Sequence, residues 1–129
     1  MLTGDDFSGI LWDVLKEAHG TPEGLRTTLM KLDKEEIAVF YTEFLHASSN
    51  LRASSLNSHL VTESDDVRKD TYEFIVAQGK DFYDDILNHP ERCPQDVDSN
   101  DVWVKGIAIG VYWDRFHEHI PRYDSGEIP

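Results

Sequence analysis

Apolar residues recur at intervals of three and four along almost the whole chain, and that spacing leaves a helical fold as the one that can bury them together. Phe7, Ile10, Leu11, Val14, Leu15 and Ala18 form the first stripe, which ends at Gly20. Leu25, Leu29 and Leu32 form a second and shorter one after Thr21-Pro22, a cap residue followed by proline at the first helical position. Asp33 with Glu36 three residues on has the form of a capping box, and Ile37, Phe40, Tyr41, Phe44 and Leu45 continue behind it.

The segment Ala47 to Ser58, ASSNLRASSLNS, is dense in serine and asparagine, whose side chains compete with the helical backbone for hydrogen bonds. It reads as a loop or a frayed helix. Val67, Thr71, Phe74, Ile75 and Gln78 precede Gly79, and Phe82, Tyr83, Ile86 and Leu87 follow it. A glycine inside a helix costs about 1 kcal/mol relative to alanine, so Gly79 marks a kink or a close approach between two nearly continuous segments.

Pro90 to Asn100 reads as a surface connection. A last helix, capped by Ser99 or Asp101, follows through Val104, Ile107, Ala108, Val111, Tyr112 and Phe116 until Pro121. No run alternates as a strand does, no segment repeats and no linker divides the chain. The expectation is a single all-α domain over 1–129, an orthogonal bundle of five to seven helices, with 121–129 a loosely held tail. Its core should hold Phe7, Leu11, Val14, Leu29, Ile37, Phe40, Phe44, Phe74, Ile75, Phe82, Ile86, Ile107, Val111 and Tyr112.

Charge narrows the classes of partner. The 129 residues carry 25 acids against 12 lysines and arginines, a formal net charge of −13, which opposes attraction to phosphate backbones and anionic membranes. Nucleic acid and membrane partners are therefore not expected, whereas a basic protein fits and a homo-oligomer stays open. Mimicry of a nucleic-acid backbone is disfavoured because Lys31, Lys34, Arg68, Lys69, Lys80 and Lys105 interrupt the acids. Cys93, the one cysteine, allows no intramolecular disulfide. With no signal-like start and no run near the roughly 18 apolar residues needed to span a bilayer, a cytoplasmic location is expected.

The stretch TESDDVRKD, Thr62 to Asp70, places four carboxylates within nine residues. Asp65 and Asp66 stand where a helix begins, and a carboxylate there satisfies orphan amides and favours the helix dipole without any ligand. A calcium loop would need acids at alternate positions and a turn glycine. His117 and His119 flank Glu118, but two residues apart on a helix their side chains diverge, so they share a metal ion only where the helix has ended. Cys93 lacks a base at motif spacing, and no cofactor fingerprint, P-loop or nucleophile elbow occurs. Trp12, Trp103 and Trp113 read as core or interface anchors.

Ser64-Asp65-Asp66, the run Phe74-Ile75-Val76-Ala77-Gln78-Gly79-Lys80, Tyr83, Leu87 and Pro90-Glu91 resemble a bacterial family of uncharacterised proteins known as domain of unknown function 4240. That family shows Ser-Asp-Asp, a Trp-Leu-Ile-x-x-Gly run at the same separation and a later Pro-Asp. The resemblance extends loosely to Trp12 and to Leu25 with Leu29. The chain departs from it in the polar LRASSLNSH before the acidic pair, and in Val67-Arg68 where the family has Gly-Phe. The resemblance implies a helical fold and supplies no mechanism.

The leading expectation is a small acidic protein-binding or regulatory module, of the immunity-protein kind, with no catalytic residue and no cofactor. Glu63, Asp65, Asp66, Asp81, Asp84 and Asp85 are its candidate partner-binding acids, with Glu35 and Glu36 beside them. The alternative is a metal-assisted hydrolase, with Asp65, Asp66, His117 and His119 as metal-ligand candidates.

Overall fold

Among the described residues of the computed structural model, 4–7 and 9–121, the chain is helical throughout, with six α-helices and no strand. They are α1 (Gly9–Glu17), α2 (Pro22–Met30), α3 (Lys34–Arg52), α4 (Asp65–Ala77), α5 (Lys80–Asn88) and α6 (Val104–Phe116). Most of the tail lies outside the described residues.

Helix starts follow local chemistry. Thr21 caps α2 by accepting from the Gly24 amide at 2.9 Å. At α3 the Asp33 carboxylate accepts from the Glu36 amide at 2.8 Å, and Glu36 accepts in return from the Asp33 amide at 3.1 Å. The start of α4 is a correction: the cap is Ser64, whose hydroxyl accepts from the Val67 amide at 3.4 Å, and Asp65 and Asp66 occupy the exposed first turn. Removing the Ser64 hydroxyl in Ser64→Ala should cost about 0.5 to 1 kcal/mol, the low end for a long, exposed cap. Asp65→Ala should cost only a few tenths through the dipole; chemical denaturation of both variants checks the order, and an Asp65→Ala cost above that of Ser64→Ala would reverse the assignment. A second correction is at α6, where neither Ser99 nor Asp101 caps the helix: Trp103 holds the cap position without a side-chain bond, and Asp98 instead caps the short turn at Ser99–Asp101.

The segment from Ala47 onward, expected as a loop or a frayed helix, is regular α-helix as far as Arg52, because tertiary contacts outweigh the weak propensity. Ala47 and Leu51 are fully buried, the Ser48 hydroxyl donates back to the Phe44 carbonyl, and Asn50 donates to the Tyr83 hydroxyl at 2.7 Å. Only beyond Arg52 does the polar composition prevail, in the short 3-10 turn Ser55–His59.

Gly79 breaks the chain between α4 and α5 with φ of 106° and ψ of 175°, a conformation that side-chain-bearing residues avoid. A Cβ there would meet nothing within 4 Å, so the glycine serves the bend and not a close approach. Gly24 has the opposite reason: a Cβ on it would collide with the Ala18 carbonyl, which lies against the start of α2.

The long helix α3 is the centre of the bundle and packs against α1, α4 and α6, while α2 lies on α6. Ten of the fourteen expected core residues are buried; Phe7, Phe74, Phe82 and Ile107 are only partly so. The amino-terminal segment closes onto α5. Asp84 accepts from the Gly4 amide at 2.6 Å, Trp12 donates its indole N–H to the Gly4 carbonyl at 2.7 Å, and Phe7 stands edge-on to both Trp12 and Tyr83. Tyr83 is fully buried, which pushes its hydroxyl pKa up to about 12; it stays protonated and donates to the Ala47 carbonyl at 3.3 Å.

Candidate functional site

The carboxylates singled out in the sequence divide by their partners. Asp84 is held by the Gly4 amide and by Lys80 at 3.4 Å, and Asp85 pairs with Arg92 at 3.1 Å. Glu63, Asp65, Asp66 and Asp81 are exposed, as is Glu35, whereas Glu36 is engaged in the capping box. The acids therefore make a field around the molecule and not one uninterrupted anionic face.

α6 ends at Phe116, with His117 in the left-handed conformation at φ of 53°. That frees His117 and His119 from helical divergence, yet both rings turn to Trp113, at centroid distances of 6.3 and 5.1 Å. Among the described residues no three His, Cys, Asp or Glu side chains come together to hold a metal ion, so Asp65, Asp66, His117 and His119 do not form such a group. Cys93 is buried, its sulfur 3.7 Å from the His59 carbonyl, and burial pushes the thiol pKa up, which disfavours the thiolate a nucleophile needs. No described helix is long and apolar enough to cross a membrane.

Two places hold side chains whose arrangement the fold alone does not require. The first is the outward face of α6. Gly106, Ile109, Gly110 and Trp113 follow one another on that face at the spacing of successive turns, opposite the buried Val104, Ala108, Val111 and Tyr112. Ile109 is 41% exposed and Trp113 46%, and a Cβ on either glycine would meet nothing within 4 Å. Beside them Ile109, Trp113, Glu118 and His119 line a hollow of about 270 Å³. Ion pairs border the face: Arg26 with Asp114 at 2.8 Å, and Lys34 with Glu118.

The second is a cleft of about 200 Å³ where α3, α4 and α6 meet, lined by Arg52, Lys69, Tyr72, Glu73 and Lys105 among others. Glu73 is buried, its Oε2 lies 3.2 Å from Lys105 Nζ, and its Oε1 has no hydrogen-bond partner. Desolvation holds its carboxyl pKa above the usual carboxylate range, with Lys105 drawing it back. None of these five residues stands out in the sequence as a site. Lys69 and Glu73 read as an ordinary i,i+4 pair on a polar helix flank, and only the arrival of α6 buries the acid.

No protein-family model, curated protein or solved structure matches this chain.

Proposed function

We propose that the protein is a binding module whose partner is a basic protein presenting an amphipathic helix to the outward face of α6. The exposure of Trp113 and Ile109 beside two glycines carries this reading. Tryptophan is the side chain most enriched among binding hot spots, and glycines at successive turns let a second backbone approach closely while the neighbouring apolar side chains anchor it.

Charge selects the occupant. A formal charge of −13 repels a second copy of the chain at low ionic strength and draws in a cationic surface. The exposed Glu63, Asp65, Asp66 and Asp81 add to this field without having to touch the partner. No catalytic step is needed for the role.

Affinity capture at low salt, comparing the parent with a Trp113→Ala, Ile109→Ala double variant, tests it. A basic partner should be held at least about tenfold more weakly by the double variant, and should associate more slowly as salt rises. A partner retained equally by the double variant, or one whose association ignores salt, would refute the proposal. So would self-association through α6 seen by sedimentation at low salt.

A further inference from the structure

The end of α6 carries two histidines that a docking surface of exposed apolar side chains does not need. The His119 ring lies 5.1 Å from the Trp113 ring and tilted 36° to it, and the His117 ring stands edge-on to the same indole at 6.3 Å. Both side chains are exposed, and among the described residues neither imidazole makes a hydrogen bond or an ion pair. His119 also lines the hollow of about 270 Å³ beside Ile109 and Trp113. His117 holds the left-handed conformation that ends the helix, a place more often given to glycine, so the chain carries an imidazole where the backbone alone would favour none.

We infer that His117 and His119 gate the outward face of α6 by proton uptake: neutral, they admit a basic amphipathic helix, and protonated, they turn it away. The gate rests on the reading of that face as the docking surface and supplies its control.

Two effects act in the same direction. An imidazolium within about 6 Å of an indole is drawn to the ring by cation–π attraction, so a protonated His119 stays on Trp113 and keeps a partner's side chains off it. Two new positive charges beside the anchor also repel the lysines and arginines of the partner. Histidine is the side chain whose ordinary titration falls between about pH 5 and 8, so the change needs no extreme of acid.

No neighbouring carboxylate is free to cancel the added charge by contact. The charged groups at this end of α6 are Asp114, Arg115 and Glu118 on its own segment, Arg26 from α2, and Lys34 and Glu35 from the start of α3. Asp114 is paired with Arg26 and Glu118 with Lys34, while Arg115 donates to the Leu29 and Leu32 carbonyls. Glu35 lines a neighbouring hollow with Lys34 and Tyr112. The wider field persists on protonation: the 25 acids still outnumber the 12 lysines and arginines and the six histidines together, so what changes is local to Trp113.

A fluorescently labelled peptide with leucines on one helical face and lysines on the other, titrated with the protein at low salt at about pH 8 and about pH 5.5, tests the gate. The parent should bind it about tenfold more weakly at the lower pH. A His117→Asn, His119→Gln double variant should bind it equally at both; asparagine tolerates the left-handed backbone, so circular dichroism should show the fold intact. Tryptophan emission supplies a readout without any partner. A protonated histidine quenches an indole beside it, so the parent should dim as pH falls, and both the histidine variant and Trp113→Phe should lose most of that dimming. Equal peptide affinity at the two pH values in the parent overturns the gate and leaves the α6 reading standing. So does a loss of affinity, or a dimming, that survives the two histidine substitutions. A peptide held at about pH 8 no better by the parent than by the Trp113→Ala, Ile109→Ala variant removes the docking surface, and the gate with it.

Discussion

Phe40→Ala is expected to remove about 3 to 5 kcal/mol of stability, a large share of the roughly 5 to 15 kcal/mol that holds a domain together. Phe40 is fully buried on α3, its ring 6.3 Å from that of Phe44, and its helix is packed by α1, α4 and α6. Helices fixed on several sides cannot collapse into the space the ring leaves, so the cavity persists and adds to the lost transfer energy. The melting temperature should fall by on the order of 10 °C or more. Phe82→Ala, at a position only partly buried, should cost clearly less. A Phe40→Ala variant melting within about 2 °C of the parent would mean that α3 is not the centre of the core.

Replacing Lys105 by methionine should produce a loss that depends on pH. Glu73 keeps its oxygens buried in the parent because Lys105 stands 3.2 Å away; methionine fills a similar volume and supplies no charge. Lys105 is 41% exposed, so its attraction is partly screened, and a loss of about 1 to 3 kcal/mol at neutral pH is expected.

The sign follows from proton binding. Burial raises the folded-state pKa of Glu73 above the ordinary 4.5, so the folded chain holds this proton more tightly than the unfolded one. Stability from this group is fully present below the unfolded value and is lost as pH rises through the folded one. Without Lys105 the folded pKa moves higher still, and the loss is deeper. The gap between variant and parent should therefore be small near about pH 4 and full near about pH 8. A Glu73→Gln, Lys105→Met double variant should recover most of it. Urea denaturation at both pH values is the measurement, and equal gaps at the two would show that the charge on Glu73 is not responsible.

Caps were legible in the sequence because their chemistry is local. Thr21 with Pro22 and the Asp33 and Glu36 box each act within one turn, and both stand where the residues alone place them. At α4 the right stretch was legible while the wrong atom was assigned, since a serine immediately before two aspartates competes for the same amides. Ser64 at the start of α4 and Gly79 at the bend are positions that the helical architecture itself constrains.

The last turns of α3, from Ala47 to Arg52, were not legible as regular helix, because serine and asparagine read as helix breakers until Ala47 and Leu51 are seen to be buried. Glu73 was hidden for a related reason. Nothing within four residues of it says that a distant helix will cover it, and a buried carboxylate cannot be told from a solvated one by spacing. The outward face of α6 shows the converse: Trp113 reads as a core or interface anchor, and only the packing of α6 decides that its ring stays nearly half exposed.

The central position of α3 also governs how the molecule breathes. Its amides between Phe40 and Ala47 lie beneath three other helices, so no small excursion exposes them to solvent. Their hydrogens should exchange with deuterium only when the whole domain opens, and the slowest of them should report its full unfolding free energy. α6 starts without a side-chain cap and leaves one face uncovered, so its first turn should exchange through smaller openings that barely respond to denaturant.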